Sequence, residues 1–286
     1  MTITNDSMVY IAYNKEIIDG KNADMKVSDK AMFFDFTVYS SLKVIQGRLF
    51  FPEFHADRLL ESAEIIGLQH KFTKHDIIEM MNKVVKANNI NDAFLRVLLI
   101  GDPDANNNAR LYIFPLTGVH YYPRSAYVKG VKAITYKGER RFPTAKTKDL
   151  LLSFLAYREA EKAGAIDALL VDNDGNIREG TRSNFFAVKG NVIITPPAEK
   201  VLEGITKKII IDLCKDRFRI LEEDIPLSKI GTYDEFFVTS TLFNIIPLNK
   251  IDNTDIKHDF TYTKEIQKIF KEYYNKSILK IRPDKL

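Results

Sequence analysis

Pro143-Thr144-Ala145-Lys146-Thr147-Lys148-Asp149, then Asn173-Asp174-Gly175-Asn176, then Glu179-Gly180-Thr181-Arg182-Ser183-Asn184-Phe185-Phe186: how these three pieces connect decides how the chain folds. Between the first and second, the apolar spacing from Asp149 to Ala163 predicts a helix, with Gly164 placed to end it. Ala168-Leu169-Leu170-Val171 reads as a strand, and Asn173-Asp174-Gly175 as the turn of a hairpin. One lysine therefore sits just ahead of a helix. One glutamate sits just past a strand-turn-strand.

Downstream, a second hairpin is expected around Gly190, followed by Thr195-Pro196-Pro197. Gly204-Ile205-Thr206 opens a helix to about Arg217, and Tyr233 to Thr239 is a strand ending in Ser240-Thr241. An amphipathic helix covers Lys264 to about Lys276. Upstream, Met8 to Ala12 and Ile17-Ile18 are short strands about a turn at Tyr13 to Glu16. The second half of Val27 to Val44 has strand periodicity and folds back at Gln46-Gly47-Arg48. Pro52 opens a helix to about Ile66, with Leu59, Leu60, Ala63 and Ile66 as its buried stripe and Gly67 beyond its end. Thr73 caps a second helix to about Asn88. Ala93 to Ile100 and Arg110 to Phe114 are strands. Pro115 to Ser125 carries no period and reads as a linker. The expected division is an α+β domain over 1–118, a linker over 119–126 and a second α+β domain over 127–286.

The 286 residues are 45% hydrophobic and 28% charged, enough for a sizeable core without staples. The single cysteine, Cys214, excludes an intrachain disulfide, fits a reducing cytoplasmic setting, and reads as a small core residue. Met1 to Asp6 shows neither the basic nor the apolar region of a signal peptide, and no apolar run nears the roughly 18 residues of a membrane span. A net charge of +4, with basic residues scattered except in the tail Lys276 to Lys285, does not describe a nucleic-acid surface. No two of the thirteen glycines are one residue apart, so the dinucleotide fingerprint is absent, as are a P-loop and a Gly-x-Ser-x-Gly elbow. His55, His70, His75, His120 and His258 lack metal-ligand spacing, so no metal is expected.

What remains is an amine, a carboxylate and several anion-binding features. Lys146 offers an amine for a Schiff base, and Glu179 a carboxylate for a ring nitrogen, as pyridoxal phosphate chemistry requires. Gly204-Ile205-Thr206 lies where a loop becomes a helix, so backbone N–H groups and the helix dipole favour an anion. Ser240-Thr241 adds hydroxyls after a strand. Arg58, beside the buried stripe of its helix, offers a planar fork for a phosphate.

In this order the residues resemble the class IV pyridoxal phosphate family of branched-chain aminotransferases, D-amino acid aminotransferases and aminodeoxychorismate lyase. The resemblance runs from about Tyr10 to Pro247. It is carried by His55-Ala56-Asp57-Arg58-Leu59, Pro143-Thr144-Ala145-Lys146, Ala168 to Gly180, Ser183-Asn184-Phe185-Phe186, Thr195-Pro196-Pro197 and Leu202-Glu203-Gly204-Ile205-Thr206. It implies an α+β, fold-type IV architecture with a barrel-like C-terminal domain, and a homodimer. It implies that Lys146 forms the Schiff base and then moves the substrate proton, with Glu179 on the pyridine nitrogen. Arg58, Ile205, Thr206 and Thr241 would hold the phosphate, with Leu202 on the ring face and Asn184 in the cofactor cleft. Tyr39 and Arg96 would line the substrate pocket. The activity implied is transfer of an amino group between an amino acid, branched-chain by preference, and a 2-oxo acid. The alternatives are an aminodeoxychorismate lyase producing 4-aminobenzoate and pyruvate, and a non-catalytic member acting as an interaction protein. The chain departs from the branched-chain pattern at four places. Phe36 fills a usually glycine-bearing loop. Ser40 stands for a glutamate and Lys43 for an arginine. Asp149-Leu150-Leu151 replaces an Asn-Tyr pair.

Overall fold

The structure is a computed structural model that describes residues 9–104, 108–116, 122–256 and 259–280. The chain forms two compact units, one of Met1–His120 with Ala145–Asp149, the other of Tyr121–Thr144 with Leu150–Leu286.

The first unit runs β1 (Tyr10–Tyr13), β2 (Glu16–Asp19), α1 (Lys30–Phe34), β3 (Thr37–Ile45), β4 (Arg48–Leu49), α2 (Pro52–Ile65), α3 (Lys74–Ala87), β5 (Ala93–Ile100) and β6 (Arg110–Leu116). Its sheet has the order β2-β1-β6-β5-β3-β4, with antiparallel neighbours. Because side chains alternate across a strand, Val38, Leu42 and Val44 of β3 and Leu95, Val97 and Leu99 of β5 share one face. They form the core with Leu59 and Ala63 of α2 and Ile77, Met81 and Val84 of α3. Of the expected α2 stripe, Leu60 and Ile66 are only partly buried. Tyr39, Ser41 and Lys43 alternate to the opposite face, with Arg96 paired across from Ser41. The ends obey local rules. Pro52 opens α2, and Gly67 lies beyond it at φ +68°. Thr73 and Asp76 close a reciprocal capping box on α3.

The residues that complete this unit come from far along the chain. Val38 and Thr147 form an antiparallel bridge. Tyr39 N–H donates to the Lys146 carbonyl at 2.9 Å, and Lys148 N–H to the Thr37 carbonyl at 2.9 Å. Main-chain pairing along β3 thus places Lys146 in the first unit, whereas the sequence division put it within 127–286.

The second unit contains α4 (Arg124–Lys129), β7 (Val131–Lys137), α5 (Leu151–Lys162), β8 (Asp167–Val171), β9 (Asn176–Gly180), β10 (Asn184–Lys189), β11 (Val192–Thr195), α6 (Ile205–Cys214), β12 (Arg219–Glu222), β13 (Ile225–Pro226), β14 (Glu235–Ser240), β15 (Asn244–Ile251), β16 (Thr254–Asp255) and α7 (Thr261–Lys280). Its sheet follows β12-β11-β10-β14-β15-β7-β8-β9-β13, and a further pairing of β10 with β9 closes the circuit β10-β14-β15-β7-β8-β9 into a barrel. Phe185, Ala187, Phe236, Val238 and Ile246 fill its core, with the Phe185 and Phe236 rings stacked 5.5 Å apart. The parallel pair β7 and β8 is bridged by α5, whose Ala156 and Ala160 pack on Ala168 and Leu170.

Several boundaries move. β1 begins at Tyr10, and Met8 lies outside the described residues, as do residues 119–121 of the expected linker, His120 and His258. Arg124 to Lys129 of the linker region is helical. α6 ends at Cys214 rather than Arg217, and α7 extends from Thr261 to Lys280. Among the described residues no helix is long and apolar enough to cross a membrane.

The α3 capping box gives a direct check on the first unit. Thr73→Ala removes the side-chain acceptor for the Asp76 N–H. It should cost about 1 kcal/mol of unfolding free energy, read as a lower urea midpoint with an unchanged slope.

Candidate active site

Lys146 is fixed through its backbone before its amine does anything. Its carbonyl accepts from Tyr39, and its own N–H donates to Ser62 Oγ at 3.0 Å. Ser62 in turn donates to the Arg58 carbonyl at 2.7 Å. One hydroxyl on α2 therefore ties the backbone of the lysine to the helical turn that carries the arginine. The Lys146 amine lies over the Tyr39 ring, Nζ to centroid 4.7 Å, and the Arg96 guanidinium lies 4.9 Å from the same centroid. Two cations sharing one aromatic ring make this part of the open sheet face attractive to an anion. Arg96 Nε is buried with no hydrogen-bond partner among the described residues. Of the sequence-selected residues, the first unit thus brings together Lys146, Arg58, Tyr39 and Arg96.

The other departures sort themselves by strand face. Ser40 points toward α2, with its Oγ 2.9 Å from His55 Nδ1 and accepting from Arg58 Nη2 at 3.2 Å. Lys43 is on the face of Tyr39 and is only 3% exposed. Burial pulls its pKa down to about 8. Phe36 packs on Gly101, where a Cβ would come within 2.5 Å of its ring.

The second unit assembles the remaining candidates around the entry to α6. Glu179 ends β9 and pairs in register with Asn184 at the start of β10. The Glu179 carboxylate receives the Leu202 N–H at 3.4 Å and lies 3.8 Å from Arg140 Nη1, both side chains being largely buried. Asn184 Nδ2 donates to the Leu202 carbonyl at 2.7 Å, so this amide holds the turn that leads into α6. Gly204 is the N-cap of α6 and leaves no room for a side chain, since a Cβ would stand 1.9 Å from Asn184 Oδ1. No side chain caps α6, so the N–H groups of its first turn at Ile205 and Thr206 remain available to an anion. Thr241 lies in the turn after β14, where Ser240 Oγ accepts from the N–H groups of Leu242 and Phe243. Thr239 Oγ1, one residue before that serine, is buried without a hydrogen-bond partner among the described residues.

These residues fit a phosphorylated, nitrogen-bearing aromatic ligand. The uncapped α6 N-terminus suits a phosphate, the buried Glu179 carboxylate suits a protonated ring nitrogen, and an amine fixed at its backbone suits covalent capture of an aldehyde. Arg140, Ser62 and Thr239 were not singled out from the sequence. Arg140 left one usable signal, the Arg140-Arg141 pair just before Pro143. Ser62 and Thr239 matter only through contacts far away along the chain. Among the described residues, His75, Asp76 and Glu79 could together face a metal ion. However, Asp76 already serves Thr73 and Lys15, and Glu79 pairs with Lys83.

The fold and these residues define a fold-type IV enzyme. The family model for class IV amino-transferases matches residues 37–251, and the chain belongs to that family. It is 30% identical to a putative branched-chain-amino-acid aminotransferase of Methanocaldococcus jannaschii, over 95% of this chain and 98% of that protein. It is 27% identical to a D-alanine aminotransferase of Staphylococcus epidermidis, over 93% and 98%. The branched-chain amino acid aminotransferase of Escherichia coli superposes with a TM-score of 0.85 at 25% identity, covering 94% of this chain and 95% of that one. A thermophile's branched-chain amino acid aminotransferase (T.th.), solved with pyridoxamine 5'-phosphate, shares the fold at TM-score 0.85 and 24% identity, covering 97% and 96%. Class IV aminotransferases work with pyridoxal phosphate, and the chain is an enzyme of that class.

Lys43 makes the open face of the first unit sensitive to pH. Its folded pKa lies near 8, below its unfolded value of 10.5. Between those values the unfolded chain binds the extra proton, so stability rises as pH increases through that window and is flat below it. The urea midpoint of the native protein should therefore climb from pH 8 to 10 relative to Lys43→Met, by up to about 3 kcal/mol of unfolding free energy. Parallel pH dependences in the two proteins would contradict this.

Proposed function

We propose that this chain binds pyridoxal 5'-phosphate at Lys146 and transfers an amino group between a branched-chain amino acid and a 2-oxo acid. The observation that carries the reading is the mounting of Lys146. Its N–H and carbonyl are both bonded within the first unit, and its amine is presented over Tyr39. A lysine that only needed water would not require this.

Bound there, the cofactor supplies an aldehyde that condenses with amines and a ring that takes up electrons from the α-carbon. The chain supplies the rest. Lys146 captures the aldehyde and, once displaced by substrate, carries the proton to and from the α-carbon. Glu179 keeps a proton on the ring nitrogen, and Arg140 beside it favours the charged carboxylate. Arg58, the N–H groups of Ile205 and Thr206, and Thr241 hold the phosphate. Leu202 covers the ring, while Asn184 holds the Leu202 turn in place. Tyr39 and Arg96 orient the substrate, with Arg96 binding a carboxylate. The names of the relatives, branched-chain and D-alanine aminotransferases, support amino acids and 2-oxo acids as the substrate class and favour the branched-chain type.

Two copies of the chain are proposed to form a homodimer. The first unit exposes Phe33 at 75% and Phe34 at 70% on α1, and the second exposes Leu151 and Phe154 on α5, more apolar surface than a lone chain keeps in water. Sedimentation at micromolar concentration should give twice the chain mass.

Adding pyridoxal phosphate to the native protein should produce a visible absorbance band, absent from Lys146→Ala, whose turnover should fall at least about a hundredfold. A panel of L-leucine, L-glutamate, D-alanine and aminodeoxychorismate then reads the donor. L-Leucine should discharge the band. Pyruvate release from aminodeoxychorismate without an added oxo acid would point instead to a lyase. Wild-type turnover by Lys146→Ala would end the proposal.

A further inference from the structure

We propose that Ser40 is a positioning residue for Arg58: its hydroxyl, oriented by His55, holds the guanidinium in place for the phosphate group. This rests on the reading of Arg58 as the phosphate-binding arginine.

Ser40 lies on the side of β3 that faces α2 and has no solvent exposure. His55 and Arg58 are three residues apart on α2 and therefore share one helix face. Ser40 Oγ accepts from Arg58 Nη2 at 3.2 Å and lies 2.9 Å from His55 Nδ1. A serine hydroxyl has a single proton, and a guanidinium can only donate. With its oxygen accepting from Arg58, Ser40 gives its proton to His55 Nδ1. His55 must then be neutral and carry its own proton on Nε2. Its surroundings enforce this. His55 is fully buried, and burial first, then the charges of Arg58 and Lys146, push its pKa well below the ordinary histidine value.

The residue type at position 40 therefore has a consequence for charge. A carboxylate there would form an ion pair with Arg58 and spend part of its charge. A hydroxyl fixes the guanidinium while leaving it a full cation for an incoming anion. The departure from glutamate at Ser40 is thus a matter of anion binding. Substrate choice belongs to the opposite strand face, where Tyr39, Ser41 and Lys43 lie.

The test uses the full-length chain, stripped of cofactor and titrated with pyridoxal phosphate and, separately, with pyridoxal, which lacks the phosphate. Ser40→Ala should weaken pyridoxal phosphate binding by about tenfold and leave pyridoxal binding within about twofold of the native value, with an unchanged circular dichroism spectrum. Nitrogen-15 NMR of the native holoenzyme should show His55 neutral, with its proton on Nε2. Should Ser40→Ala not fold, this tautomer alone decides the matter. Native phosphate selectivity in Ser40→Ala, or a proton on His55 Nδ1, would overturn the proposal. Arg58→Gln separates the two levels. If it loses the preference for the phosphorylated form while Ser40→Ala keeps it, the reading of Arg58 stands and the role of Ser40 falls. If Arg58→Gln also keeps that preference, the reading of Arg58 is itself wrong.

Discussion

A few main-chain hydrogen bonds decide whether this chain has an active site. Residues 145–148 lie far from β3 in sequence yet pair with it. Tyr39 and Lys148 supply N–H donors at 2.9 Å, and Ser62 accepts the N–H of Lys146. Buried backbone groups are costly to leave unpaired, so this short extended piece has little freedom to slide. That matters because a lysine side chain has four rotatable bonds, and an amine on a mobile backbone could not be presented repeatedly to one atom. Fixing the backbone on both sides of the α-carbon removes the larger part of that uncertainty. The Tyr39 ring then restricts where the amine goes.

The same economy appears in the second unit. Glu179 and Asn184 face each other across two strands, and both reach Leu202, one through its N–H and the other through its carbonyl. The turn that presents the first N–H groups of α6 is therefore held by the residues beside it. Gly204 is required there because Asn184 occupies the space a Cβ would need. Binding group and support are one hydrogen-bonded structure, which is how a site on a loop acquires the precision of one on a strand.

Features governed by near neighbours were legible in the sequence. The α3 capping box, the glycine beyond α2 and the hairpin at Gln46-Gly47 each depend on a few adjacent residues. The chemical types at Lys146, Glu179 and Gly204 to Thr206 were legible too, since a Schiff base, a ring nitrogen and a phosphate each demand a particular functional group. What could not be read depends on long-range pairing. The transfer of 145–149 to the first unit requires knowing that β3 accepts a partner. Closure of the barrel requires the contact of β10 with β9. The orientation of Ser40 follows from the register of β3, without which its departure looks like a change of substrate pocket. Arg140 becomes meaningful only once Glu179 is seen beside it.

The claim that everything else serves is that the amine of Lys146 is the group that captures an aldehyde. It is tested most directly by treating the native protein with pyridoxal phosphate, reducing with borohydride and mapping the modified peptide by mass spectrometry. One pyridoxyl group, confined to Lys146, is the result this account requires. A label spread over several surface lysines, or fixed on a different one, would contradict it.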